Sequence, residues 1–290
     1  MTYFSERYGH IAPKLLQVES IDSELRASIW NVLETTMFGE PEFMEARFEE
    51  FSTDFWVIFL KLPLSSKEEY PYVVKDQMES IYGKLEWFQV YDFIEFVCKW
   101  LYKSKNTGTG AWKAYSHIFN KILEREKSGY RLVNRLISPI TDEHEALAVE
   151  ESIQNAVVCG AAEHFRNALQ LLSDRQSPQF RKSIQESLSG LESTAQVLSA
   201  KPNASLGEAL DELHRQCPSV SKTAVAGFKT LYGGASQTGG VRHGSTKAEE
   251  MQAVDLSDAK YYLVICSAMA NFLKGKAATG FSRNSAEPTA

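Results

Sequence analysis

Several things are missing from this chain of 290 residues. It has four cysteines, Cys98, Cys159, Cys217 and Cys266, and no C-x-x-C pair among them. That spacing excludes a zinc ribbon and gives no disulfide framework, so the cysteines read as small buried residues of a reducing compartment. No apolar run reaches the roughly 20 residues a membrane helix needs. The longest, Tyr261–Leu273, is broken by Ser267 and Asn271. Met1 to His10 is polar and aromatic and lacks the apolar core of a secretion signal, so a cytoplasmic location is expected. No half is basic. Residues 1–141 carry 17 Lys/Arg against 20 Asp/Glu, and the rest carry 14 against 17, so each half has a charge of -3. Broad affinity for a nucleic-acid backbone is therefore not expected, and any such contact has to be local.

What is present reads as helix. Asp22 or Ser20 can cap a helix carrying Leu25, Ile29, Val32 and Leu33 at helical spacing, with Gly39 at its end. Pro41 opens a second, whose stripe runs from Phe43 and Met44 through Phe48, Phe51 and Phe55 to Leu62. Pro63 and Pro71 bracket a loop. Helices are predicted near Tyr72–Tyr82, over Glu86–Lys103 and from Ala111 to about Lys127, with Asn106–Gly110 as a break. The aromatic load of this half could suggest base stacking, but at helical spacing it reads as core. Gly129 to Ile140 reads as a small hairpin around Asn134-Arg135.

The second half is helical again: Thr141 to about Asn155, Val157–Leu172, and Pro178–Ser199 with Ser177 as cap. A capping box at Ser205-Leu-Gly-Glu208 opens a helix to Gln216, and Ser219 starts one that ends at Gly233-Gly234. The last, Leu256 to about Lys274, is apolar nearly all round and is expected to be central and buried. The fold class is therefore all-α, as two helical domains with a small β-hairpin at their junction. The expected divisions are 1–128, a hairpin at 129–141, a second helical domain at 142–276, and a disordered tail at 277–290.

Chemistry concentrates in one place, the Gly-, Ser- and Thr-rich stretch 231–246 ahead of the last helix. It holds Arg242, an anion binder that is always charged, beside His243, which titrates near neutrality. A phosphate-binding P-loop reading fails because no lysine follows the second glycine of Gly239-x-x-x-x-Gly244. A metal reading fails because no second histidine stands at ligand spacing; His10, His117, His144, His164 and His214 are scattered and read as ordinary. Two readings remain open on the residues alone: a metal-free Arg–His ribonuclease site, and a solvated glycine-rich loop.

A resemblance bears on that choice. The strings Phe4-Ser-Glu-Arg-Tyr-Gly9, Ser20-Ile-Asp-Ser-Glu-Leu-Arg26 and Ile29-Trp-Asn-Val-Leu33 resemble the N-terminal domain of AbiJ-type abortive-infection proteins. The second half resembles the HEPN domain attached to it in bacterial defence proteins. The stretches that carry this are Ala162-Glu-His-Phe-Arg-Asn-Ala-Leu169, Arg181-Lys-Ser-Ile-Gln-Glu-Ser187, Leu231-Tyr-Gly with Gly239-Gly-Val-Arg-His243, and Asp258-Ala-Lys with Cys266-Ser-Ala268. The resemblance implies a compact helical bundle, a homodimer through the C-terminal domain, and either a metal-independent endoribonuclease or a scaffold that binds a partner. It implies RNA as substrate, no cofactor, no membrane, and a phage-derived trigger or second defence protein as further partner. His243 and Arg242 are then the catalytic residues. Arg166, Asn167, Glu163, Gln237 and Ser245 follow as phosphate-binding or supporting candidates. The usual pattern has arginine four to six residues before the histidine. Here those positions are Ser236, Gln237 and Thr238, and Arg242 directly precedes His243.

Overall fold

The computed structural model describes residues 4–10, 14–103, 110–174, 176–237 and 254–284. The chain is all-α apart from one two-stranded hairpin. It divides into two units, 1–143 and 144–290. Among the described residues no helix is long and apolar enough to cross a membrane.

The first unit opens with the short helix α1 (Phe4–Arg7). Helix α2 (Ser23–Thr36) is capped by Asp22, whose carboxylate accepts from the Leu25 amide at 2.8 Å. Its buried face is Leu25, Ile29, Val32 and Leu33, as the spacing predicts. The stripe from Phe43 to Leu62 is not one helix. It divides into α3 (Pro41–Ala46), α4 (Phe48–Asp54) and a π-helical segment, Phe55–Leu60, which Lys61 ends with a left-handed φ of 56°. So wide a stripe cannot all face one core from a regular helix. The break at Arg47 and the wider π turn reorient successive sets, so that Phe43, Phe48, Phe51, Phe55 and Trp56 are all buried. Arg47 places its guanidinium over the Trp100 ring, 4.8 Å from the centroid.

A 3-10 turn, Leu64–Ser66, leads to α5 (Pro71–Gly83) and then α6 (Trp87–Lys103), the buried centre of the unit. Val90, Phe93, Ile94, Val97 and Cys98 of α6 have no exposure. Helix α7 (Ala111–Arg125) packs beside α6 and carries the hairpin of β1 (Arg131–Val133) and β2 (Leu136–Ser138). The strands pair antiparallel in the register Arg131↔Ser138, Leu132↔Ile137 and Val133↔Leu136. Asn134 and Arg135 form the turn with φ of 47° and 65°, the conformation a two-residue hairpin loop demands. Arg135 tolerates it with its guanidinium 3.8 Å from the Tyr102 ring centroid. The Ile137 amide donates to Glu95 of α6, so the hairpin belongs to the packing of the first unit. The N-terminal segment is tied to the start of this region: Gln17 exchanges backbone hydrogen bonds with Lys127 and Gly129, at 2.7 and 2.8 Å.

The second unit contains α8 (Glu143–Gln154), α9 (Cys159–Ser173), α10 (Phe180–Leu198), α11 (Leu206–Gln216), α12 (Lys222–Gln237) and α13 (Leu256–Asn284). Helices α9 and α10 form an antiparallel pair, locked where Phe165 packs on Gly190 and the Ser183 hydroxyl donates to the Ala168 carbonyl. Helix α11 has the capping box read from Ser205 and Glu208.

Three expectations change. Ser177 does not cap α10, because the helix begins three residues later, at Phe180, with Gln179 at the N-cap position; the Asp174 carboxylate accepts from the Gln176 and Ser177 amides and closes a turn ahead of it. Helix α13 is buried along one face only; Tyr261 and Phe272 are exposed. It also continues past Lys274 to Asn284, through the expected start of the tail at 277; no proline interrupts that stretch, although it holds Gly275 and Gly280.

Candidate functional site

The residues named from sequence fall on two parts of the second unit. Glu163, Arg166 and Asn167 lie within about one turn of α9, a spacing that makes them neighbours on the helix surface. Glu163 and Arg166 are exposed and Asn167 is half-buried. Among the described residues neither Glu163 nor Arg166 takes an ion pair. The five-donor fork of Arg166 is therefore available to an anionic ligand. Gln237 is the last residue of α12. Arg242, His243 and Ser245 lie outside the described residues, so their geometry relative to Arg166 is not part of the site described here.

The helix start that follows them is capped. Asp255 accepts from the amides of Ser257 and Asp258, at 2.8 and 3.0 Å, and the Asp258 carboxylate accepts from the Asp255 amide in return. This reciprocal cap sets the start of α13. Leu188 and Leu191 of α10 face Tyr262 and Cys266 of α13. Further along, Gln216 donates to Ser199 and Cys217 reaches the Lys276 carbonyl. The two helices thus run in the same direction, and the chain re-enters the fold at the end of the bundle where α10 begins. Phe228 and Leu231 of α12 close the same apolar seam. Burial pushes the Cys266 thiol up to about 12 and raises the Tyr262 phenol, so neither supplies an ionised group there.

His164 was read from sequence as ordinary, and the structure gives it a carboxylate. Its Nδ1 lies 2.7 Å from Glu186 Oε2 across the α9–α10 pair, and both side chains are about one-third exposed. With Nδ1–H donating to the carboxylate, Nε2 is left as a base. The pairing follows from the register of α9 against α10, which brings the two positions side by side. Gly160, one turn before His164, and Ser193, two turns after Glu186, line a cavity of about 340 Å³ with Val158, Gln196 and Val197. The cavity is thus lined in part by the same two helices that carry the His–Glu pair.

Two further histidines, His214 and His117, make local contacts. His214 bonds the Val220 carbonyl at 2.7 Å, and His117 stands 3.9 Å from Glu143. Among the described residues no three His, Cys, Asp or Glu side chains converge to hold a metal ion. The cysteines are not uniformly buried as expected. Cys98 and Cys266 are, whereas Cys159 at the first position of α9 is exposed and Cys217 is half-buried.

No curated protein and no solved structure matches the chain at a significant level. A family model does, that of AbiJ N-terminal domain 4, over residues 2–155. This span takes in α2 to α7, the hairpin and α8, which is more than half of the sequence. The chain therefore belongs to the AbiJ N-terminal domain 4 family.

Proposed function

We propose that this chain is an abortive-infection effector whose C-terminal unit is a HEPN-like, metal-independent endoribonuclease. Membership of the AbiJ family points to an abortive-infection, anti-phage role. The observation that carries the nuclease reading is the placement of Arg242-His243 in the connection between α12 and α13, within a separate helical bundle that also presents an unpaired Arg166 beside Asn167.

RNA cleavage without a metal requires three services. His243 takes the proton of the 2′-hydroxyl, and the freed oxygen attacks the adjacent phosphorus. Arg242 holds the phosphate as charge builds on it, preferably through two parallel N–H···O bonds. The P–O5′ bond breaks, and the leaving oxygen takes a proton from a second histidine. The products end in 2′,3′-cyclic phosphate and 5′-hydroxyl. In a two-fold homodimer the second histidine is His243 of the partner subunit. Tyr261 and Phe272, three turns apart on α13 and both exposed, supply apolar surface for such a pairing. Arg166, Asn167, Glu163, Gln237 and Ser245 are assigned to supporting contacts with the RNA. The N-terminal unit, with its aromatic core and, among the described residues, no catalytic constellation, is assigned to sensing or restraint.

The adjacency of Arg242 and His243 favours a second reading, a catalytically silent HEPN scaffold that binds a partner protein or a phage component. The two are separated by incubating the full chain and its His243→Ala form with total cellular RNA in excess chelator and mapping product ends. Cleavage that is lost in the variant supports the nuclease. Cleavage retained by the variant overturns the assignment of His243, and absence of cleavage by either form leaves a scaffold or an enzyme that stays silent until its trigger is present.

A further inference from the structure

We infer that one face of the first unit, formed by the π-helical segment, the loop after it and the first turn of α5, is a self-association surface that takes a second copy of this chain about a two-fold axis. The π turn buries Phe55 and Trp56 and leaves Val57 and Ile58 outside. The chain then runs through Leu62, Leu64, Tyr70, Tyr72 and Val73. All seven of these apolar side chains are 43 to 72% exposed. Seven large apolar side chains exposed within one short stretch of chain are more than the scattered single exposures of an ordinary surface.

The face is rigid. The Leu62 amide donates to Trp56 O at 2.9 Å, and Trp56 Nε1 donates to Ser66 Oγ at 3.2 Å. Gln77 of α5 donates to the Ser66 carbonyl at 2.8 Å and accepts from the Glu68 amide at 3.2 Å. Lys67 grips the Glu49 carboxylate at 2.8 and 2.9 Å. A loop clamped to the helices on both sides pays little ordering entropy when it is covered.

Charge selects the occupant. The rim carries both signs. Among the described residues Lys61, Glu68 and Glu69 take no ion pair, and all three are exposed. A two-fold operation places Lys61 beside Glu68 of the partner subunit or Glu69 of the partner subunit and pairs the rim with itself. A membrane surface asks instead for a rim rich in Lys and Arg, which this face lacks.

The test uses the full chain and follows its mass by sedimentation across a concentration series. Ile58→Glu and Lys61→Glu are each expected to weaken association at least tenfold, removing one step of assembly whether or not the C-terminal units also pair. Both positions are exposed, and unchanged tryptophan fluorescence confirms that each variant is folded. Adding Glu68→Lys and Glu69→Lys to Lys61→Glu restores association, which a merely damaged fold would not do. In a Cys159→Ser, Cys217→Ser background, Ile58→Cys is expected to cross-link between chains with a short bis-maleimide. A wild-type chain that stays monomeric, association unchanged by Ile58→Glu and Lys61→Glu, or failure of the charge reversal to restore it overturns the proposal. So does occupation of the face by vesicles or by a different protein in place of the second copy.

Discussion

Asn120 of α7 reads both backbone groups of Leu132 in the hairpin: its Nδ2 donates to the Leu132 carbonyl at 2.8 Å and its Oδ1 accepts from the Leu132 amide at 2.7 Å. One side chain thus replaces the neighbouring strand that a two-stranded hairpin lacks on that side. Leu132 has no exposure, so water cannot take over the contact. Asn120→Leu is expected to cost about 2–4 kcal/mol, the sum of two polar groups left unpaired. All five tryptophans lie between Trp30 and Trp112, so their fluorescence in a urea titration reports the first unit. An unshifted midpoint would show that Asn120 does not hold the hairpin.

Lys14 ties the N-terminal segment to α2 and α7 by bonding Asp22 at 2.8 Å, Glu24 at 3.0 Å and Glu126. Burial would raise the Asp22 and Glu126 carboxyls, but Lys14, together with the Leu25 amide and Gln17 at Asp22 and with Arg125 at Glu126, outweighs it and holds both below their ordinary range. Burial would lower the Lys14 ammonium, and the three carboxylates outweigh that and raise it. The depressed carboxyls stabilise the fold above their unfolded values of about 3.9 and 4.3, and that contribution fades as pH falls through the lower folded values. The raised Lys14 contributes fully below about pH 10.4 and loses its contribution only as pH rises through its folded value. Lys14→Met is therefore expected to cost about 1–2 kcal/mol near neutrality, reduced by water on the Asp22 side. The variant should also lose less stability than the parent between about pH 6 and pH 3. Parallel pH curves for the two proteins would refute the linkage.

Where one physical rule decided the outcome, the sequence was readable. The Asp22 cap, the Ser205–Glu208 capping box and the Asn134-Arg135 turn each depend on a few adjacent residues, and each is in place. The stripe from Phe43 to Leu62 misled, because apolar periodicity shows which residues want burial but not where a helix must break to bury them. Arg47 is placed by Trp100, more than fifty positions away, and no local rule sees that. Ser177 does not cap because the chain turns on the Asp174 carboxylate first and α10 starts only at Phe180, beyond the reach of a Ser177 cap. On the candidate site, Glu163, Arg166 and Asn167 were legible as one helical surface. The His164–Glu186 bond needed the register of α9 against α10, which the sequence does not state.

Gly190 of α10 is where α9 comes closest. A Cβ there would stand 3.0 to 3.1 Å from three atoms of the Phe165 ring, which has no exposure and little room to yield. Helix propensity favours alanine over glycine by about 1 kcal/mol, and overpacking costs about 1–3 kcal/mol. Gly190→Ala is expected to be neutral to mildly destabilising and Gly190→Val clearly destabilising. Phe165→Leu should rescue the valine variant, and the double-mutant cycle measures the coupling. The readout is the far-UV circular dichroism midpoint, with tryptophan fluorescence of the first unit as internal reference. Additive effects of the two substitutions would show that the ring does not set the spacing.

The four cysteines should separate by reactivity. A thiol reacts as thiolate and only where reagent reaches it. Cys98 and Cys266 have almost no exposure, and burial lifts the Cys266 thiol to about 12, so both are expected to label only in denaturant. Cys159 starts α9 at the surface and should react first under native conditions, followed by half-buried Cys217. Counting modified sites by mass spectrometry over time checks the order. The experiment also bears on mechanism. A nuclease that relies on His243 and Arg242 has no use for a thiol, so alkylating Cys159 should leave chelator-resistant cleavage unchanged. Loss of cleavage on labelling Cys159, with Cys159→Ser still active, would instead place the RNA path along the α9–α10 groove, where a bulky adduct at Cys159 blocks the neighbouring cavity.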